Sequence, residues 1–187
     1  DEIMKISEEA GAAGPVICFQ GAMTYDQVSK TPLRHVRLPE AITTRAIRAL
    51  LQTVPEVMMF LGYDVWVEKH SKWTEGYGQR MGVKIRETDS LMSMADQLPT
   101  ALVGVGEPEV VGPLVEQLHQ QLNGLALVTH SLPMFCEIEA IDAGKDHAVQ
   151  HLTKTLNVDR AGVIAVGDGK GDQSMIEWAG LGVGVEG

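Results

Sequence analysis

Long apolar runs are missing from these 187 residues. Those that occur are short and broken by glycine or charge, so no membrane span is expected. No basic-then-apolar stretch opens the sequence, so no secretory leader is expected. Cations are scarce: 15 Lys and Arg stand against 25 Asp and Glu, a formal net charge of -10. Nonspecific nucleic-acid binding needs Lys and Arg to neutralise phosphates, so no nucleic-acid partner is expected. A small anionic substrate stays open, because a bound metal ion can set the local field whatever the net charge. Cysteine is limited to Cys18 and Cys136, both in apolar, strand-like runs. Buried reduced thiols and a cytoplasmic location fit that usage. Internal repeats and low-complexity tracts are absent, and no two aspartates stand two residues apart.

What is present is ordinary globular composition, 44% hydrophobic and 21% charged. The spacing predicts a helix over 2–12, ended by Gly14-Pro15. The apolar run 15–19 then reads as a strand buried on both faces, broken by Gln20-Gly21. Short strands are expected at 22–25 and 34–38. Pro39-Glu40 suits the start of a helix, proline in the first turn and glutamate at the positive dipole end. Strands are expected at 56–61 and 63–69, a weak helix or glycine-rich loop at 71–82, and a short helix near 90–96. A strand over 100–105 leads to an amphipathic helix over 107–122, closed by Asn123-Gly124. Strands follow at 125–129 and 134–138.

The rhythm then changes to helix 144–156, strand 162–166, helix 172–179 and strand 181–185. That closing β-α-β unit is the logic of a doubly wound parallel sheet. The expected architecture is α/β: a partial doubly wound parallel core interrupted by an inserted α+β unit. The expected division is 1–22 as a first, incomplete core part, 23–134 as the insert, and 135–187 as the second core part. A chain that starts in a helix and stops at a strand end reads as a piece of something longer.

The sharpest chemical feature is the run from Val163 to Asp172, Val-Ile-Ala-Val-Gly-Asp-Gly-Lys-Gly-Asp. An apolar strand ends, and Asp168 and Asp172 follow on the loop at its carboxyl end, the edge where ligands bind in doubly wound sheets. Two hard carboxylates among glycines suit Mg²⁺. A plain glycine-rich turn with solvated acids is the alternative. An EF-hand needs a glutamate where Ala179 stands, and a dinucleotide fingerprint needs a glycine where Asp172 stands. Lys145, just after Gly144, would bring an ammonium to the same sheet edge, where it could hold a phosphate. Weaker signals are His147 and His151, four apart but without a third zinc ligand, and His130-Ser131 between two strands. Trp66, Trp73 and Tyr77 could line a pocket or simply pack.

These features in order resemble the closing half of the Cof-like (class IIB) phosphatases of the haloacid dehalogenase (HAD) superfamily. The residues that carry the resemblance are Glu137-Ile138, Gly144-Lys145, Leu156-Asn157-Val158, Val163–Val166, the Gly167–Asp172 loop, Ala179-Gly180 and Gly182-Val183. The run Val16–Ala22 is similar to that family's strand ending in Asn-Gly-Ala, and the insert is similar to its α/β cap. The resemblance implies a Mg²⁺-dependent phosphatase of small phosphorylated metabolites, acting through an aspartyl-phosphate. It implies Asp168 and Asp172 as metal-site acids, Lys145 as the catalytic lysine, and Gln20 and Gly21 at the substrate. The chain departs from that pattern in lacking the Asp-x-Asp nucleophile and the Ser/Thr of the second core strand. Gln20 and Gly171 also stand where asparagine is usual. These 187 residues alone are therefore expected to be inactive, and a non-catalytic relative that binds a phosphorylated ligand or partner is the alternative. The oligomeric state is left open.

Overall fold

A computed structural model describes residues 2–186, the side chain of Glu2 excepted. The chain begins with α1 (Glu2–Glu9), β1 (Val16–Cys18), a 3-10 turn over Phe19–Gly21, β2 (Met23–Asp26) and β3 (Thr31–His35). These three strands form a small antiparallel sheet in the order β1-β2-β3. Then come α2 (Glu40–Thr53), β4 (Glu56–Leu61), β5 (Asp64–Val67), α3 (Lys72–Met81), β6 (Lys84–Glu87), β7 (Ala101–Val105), α4 (Pro108–Gln121), β8 (Ala126–Thr129) and β9 (Phe135–Ala140). Strands β4 to β9 make one six-stranded sheet, ordered β6-β5-β4-β7-β9-β8. The chain closes with α5 (Lys145–Leu156), β10 (Ile164–Gly167), α6 (Gln173–Trp178) and β11 (Leu181–Gly184), with β10 and β11 parallel.

The α/β class and the closing β-α-β unit are as the sequence implies. Strand β9 pairs with β7 and β8, so the six-stranded sheet runs past residue 134 to Ala140. Strand β2 pairs with β1, not with the six-stranded sheet, so Met23–Asp26 keeps company with the first segment. Strand β6 was not foreseen: Lys84–Glu87 is short and charged, and only its parallel pairing with β5 makes it a strand.

One face of the six-stranded sheet is covered by α2 and α4. Ile42, Ala46, Ile47 and Leu50 from α2 and Val111, Leu114 and Leu118 from α4 interdigitate with Val57, Met59, Leu102, Cys136 and Ile138. Each fully buried side chain of that size contributes about 1.5–3 kcal/mol before entropy is counted. The opposite face presents Met58, Phe60, Val65, Val67, Ala101 and Val103 to Phe19, Trp73, Tyr77 and Phe135.

Helix α3 has weak propensity, with two glycines inside, and forms because its ends are well made. The Ser71 hydroxyl accepts from the Thr74 amide, the Thr74 hydroxyl accepts from the Ser71 amide, and Gly82 closes the helix at φ 63. Trp73 then stacks on Tyr77 and meets Phe135 edge-on, so Trp73 packs on the sheet face, while Tyr77 both packs there and lines a cavity. Trp66 lies toward the α2–α4 side under the Arg86 guanidinium.

Candidate functional site

The loop after β10 is built around one side chain. Asp172 is 9% exposed, and its Oδ1 accepts a hydrogen bond from Lys145 Nζ at 2.5 Å. Its Oδ2 accepts from the Gly169 amide at 3.2 Å. Burial pushes this carboxyl up. The Lys145 hydrogen bond, the Gly169 and Asp168 amides and the ammonium charge outweigh that, and hold it below the usual aspartate range. Gly167 is required here: a Cβ on it would fall 2.5 Å from Asp172 Cβ. Asp168 is exposed at the carboxyl end of β10, four residues before Asp172 on the same loop.

Lys145 is the first residue of α5, and the turn after β1 fixes where that helix starts. The Gly144 amide donates to the Gln20 carbonyl at 2.8 Å. Gly21, at φ 96, lies so close that a Cβ there would be 2.2 Å from the Gly144 carbonyl oxygen. Phe19 and Gln20 take φ values of 51 and 47, the left-handed region that non-glycine residues avoid. Two such residues in succession are a local strain held by their surroundings, a pattern concentrated at functional sites. The Gln20 side chain reaches the β10 loop, with its Oε1 3.6 Å from where a Cβ on Gly171 would sit. The structure thus brings Gln20, Gly21, Lys145 and Asp172 together beside the loop that carries Asp168.

Two residues escaped the sequence reading. Arg34, on β3, donates to the Gly21 carbonyl at 2.5 Å and also to the Asp142 carbonyl. From the end of β3, where the chain leaves the small sheet for the large one, it therefore reaches the start of β2 and the turn after β9, where the chain leaves the large sheet. Nothing in its sequence neighbourhood marks it, since its partners are backbone atoms 13 and 108 residues away. Glu139, on β9, is 2% exposed and its Oε2 has no hydrogen-bond partner. Alternation along β9 is its only signal: Cys136 and Ile138 join the α2–α4 side, so Phe135, Glu137 and Glu139 must face the other way.

The weaker signals resolve as packing or surface. His147 Nδ1 lies 3.0 Å from the Ala143 carbonyl, and both His147 and His151 are exposed. His130-Ser131 is a turn whose Ser131 amide donates to Glu137. The thiols of Cys18 and Cys136 are pushed up to about 11 and about 12 by burial, which keeps them protonated and inert.

The metal that the resemblance implies asks for hard oxygen donors. Asp168 is a free, exposed carboxylate, and Asp172 is held in its charged form one turn away. Among the described residues no cluster of three or more His, Cys, Asp or Glu is poised for a metal. Mg²⁺ commonly uses only one or two protein carboxylates and keeps its waters, so the pair fits it.

A model of the haloacid dehalogenase-like hydrolases matches residues 1–186. "Putative phosphatase YxeH" of Bacillus subtilis is 29% identical over 109 residues, 58% of this chain and 40% of that protein. This chain therefore spans well under two thirds of that curated relative. Among solved structures, a haloacid dehalogenase-like hydrolase from Bacteroides thetaiotaomicron superposes with a TM-score of 0.81 at 22% identity, over 97% of this chain and 70% of that one. The HAD subclass IIB sugar phosphatase BT4131 gives a TM-score of 0.77 at 13% identity, over 97% and 67%. At these identities the structural likeness concerns the fold.

Proposed function

Because this chain belongs to the haloacid dehalogenase-like hydrolase family, we propose that its protein is a Mg²⁺-dependent phosphatase of small phosphorylated metabolites, working through an aspartyl-phosphate. The observation that carries this is the 2.5 Å pair between Lys145 and Asp172 at the end of β10, with Gln20 beside it. On this reading the small sheet and the residues after Ala140 belong to the core, and the six-stranded sheet with its helices is a cap over the site, so the expected bounds 23–134 shift to follow the sheet pairing.

Lys145 presents an ammonium that lowers the cost of bringing an anionic phosphate and an anionic nucleophile together. Asp172 holds that ammonium in place. Asp168 and Asp172 would hold Mg²⁺, which when bound neutralises charge on the phosphoryl oxygens. Gln20 supplies an amide over Gly171, restoring from the neighbouring turn a group that the loop itself lacks. Arg34 keeps the two crossings aligned, so that closing the cap leaves Lys145 where it is. No Asp-x-Asp pair occurs in these residues, so the attacking carboxylate lies outside them and the 187 residues alone are inactive. A non-catalytic relative that only binds a phosphorylated ligand is the second reading, favoured by that same missing pair.

The test is turnover of p-nitrophenyl phosphate with Mg²⁺ by the complete gene product. Asp168→Ala and Lys145→Met should each cost about 100-fold or more in kcat, since each removes several kcal/mol of transition-state stabilisation. A loss below about tenfold for both would refute the assigned roles. Turnover by the 187 residues alone would refute their dependence on an outside nucleophile. No turnover by the complete product would leave the binding reading.

A further inference from the structure

Between β1 and the face of the six-stranded sheet that carries α3 lies a cavity of about 280 Å³. Its wall includes Cys18, Phe19, Met58, Phe60, Val103 and Glu139. Gln20 also lines it and reaches Gly171 of the β10 loop, so the cavity and the Lys145–Asp172 pair share one residue. The size lies at the small end for ligand pockets.

Glu139 is out of place on this wall. Cross-strand pairs run Val65 to Phe60, Phe60 to Ala101 and Ala101 to Glu139, which puts all four in one row across the sheet. Three members are apolar, and the fourth is a carboxyl whose Oε2 is buried and unpaired. Leaving such a group unsatisfied opposes folding, and an apolar residue of similar size would remove the problem. Nothing in the packing of the sheet needs an acid at this position. Several other polar groups on the wall are engaged, while Gln20 and Tyr77 also line it. Glu137 accepts the Ser131 amide, Asp64 is paired with Arg86, and the Tyr25 and Tyr63 side chains bond each other. Burial, and then the nearby charge of Glu137, push the Glu139 carboxyl well above the usual glutamate range. Burial without a partner favours the neutral form of this carboxyl, which can donate a hydrogen bond as well as accept one.

We propose that this cavity seats the organic group of the substrate, a compact apolar or aromatic body with one neutral acceptor oxygen, and that Glu139 reads that oxygen by donating a hydrogen bond to it. The proposal rests on the phosphatase reading for its phosphate, but its pocket stands on geometry alone. A polyhydroxylated body would bury hydroxyls against Phe60, Met58 and Val103, which offer them no partner, and is disfavoured.

The experiment compares three esters on the complete gene product with Mg²⁺: 4-acetylphenyl phosphate, phenyl phosphate and glucose 6-phosphate. The acetyl ester should be turned over with a kcat/KM about tenfold above phenyl phosphate, the worth of one good hydrogen bond, with glucose 6-phosphate slowest. Glu139→Leu should bring the acetyl-to-phenyl ratio of kcat/KM down to about one, the loss of that one hydrogen bond. Glu139→Gln, which keeps a donor, should stay within about threefold of wild type. Glu139→Leu should also raise the melting temperature by about 2–4 °C by removing an unpaired buried carboxyl; Glu139→Met serves if leucine fails to fold. An acetyl-to-phenyl ratio untouched by Glu139→Leu, or a wild-type preference for the sugar phosphate, overturns the proposal. If no ester is hydrolysed the phosphatase reading fails separately. Binding of 4-acetylphenol, followed by tryptophan fluorescence, then decides the pocket. About tenfold weaker binding to Glu139→Leu supports it, and equal or absent binding overturns it.

Discussion

The six-stranded sheet and the β10–β11 pair are built from similar apolar strands and end in opposite states. In the large sheet Met58, Met59, Leu102 and Ile138 are at most 1% exposed, sealed by α2 and α4 on one face and by Phe19 and α3 on the other. On β10, Ile164 and Val166 are 67% and 55% exposed, and Leu181 on β11 is 55% exposed. Only Ala165 of that strand is buried. The part that carries the candidate chemistry is thus the part with the least packing of its own. Its order comes from polar contacts: Asp172 gripped by Lys145 and the Gly169 amide, and α5 pinned to Gln20.

The largest effects should fall in the large sheet. Leu50, fully buried between α2 and β7, should cost about 2–5 kcal/mol as Leu50→Ala, read from urea unfolding. Arg34→Met should come next. It deprives the Gly21 and Asp142 carbonyls of a charged donor, worth about 1–3 kcal/mol, and should lower the cooperativity between the two units as well as the midpoint. Unchanged cooperativity would show that the crossings are held by the chain alone.

Most of this architecture was legible because periodicity and punctuation agree in it. The two helices over the large sheet carry clear apolar faces, and the Gly-Asp loop announces itself by its glycines. The failures are physical. Helix α3 was left between weak helix and loop because its stability is in its caps and its aromatic contacts rather than its propensities. Strand β6 hid because a four-residue edge strand is defined by its neighbour. The burial of β1 was misjudged for a different reason: the run 15–19 reads as buried on both faces yet is only half-buried, because packing on both sides requires partners that a single strand does not encode. At the site, Lys145, Asp168 and Asp172 were readable from residue type and order. Arg34 and Glu139 were not, because one acts on backbone atoms and the other is defined by an empty space.

The comparison sharpens at Ile164. In these 187 residues Ile164→Ser should cost less than about 0.5 kcal/mol, as for a surface position. In the complete gene product the same change should cost about 2 kcal/mol or more if core strands cover it, as the family resemblance implies. Amide exchange makes the same contrast without mutation. The β10 and β11 amides of the 187 residues should exchange well before those of β4 and β7. Equal protection in both units would break the contrast drawn here.

The smallest effect separates the two regions by pH. Asp172 has a folded pKa below its ordinary value of 3.8. Its contribution is present above that value and is lost as pH falls through the lower folded one. Glu139 is shifted the other way, well above 4.5, so the unfolded chain ionises first. Stability from this group is full below about pH 4.5 and declines as pH rises toward the folded value. The acid limb of the stability curve therefore belongs in part to the β10 loop, and a shallow decline above it to the large sheet. Asp172→Asn should flatten the first and leave the second; Glu139→Gln should do the reverse. Chemical unfolding at half-unit steps between pH 3 and 8 reads both, and a curve unmoved by Glu139→Gln would mean that this carboxyl is charged in the folded protein.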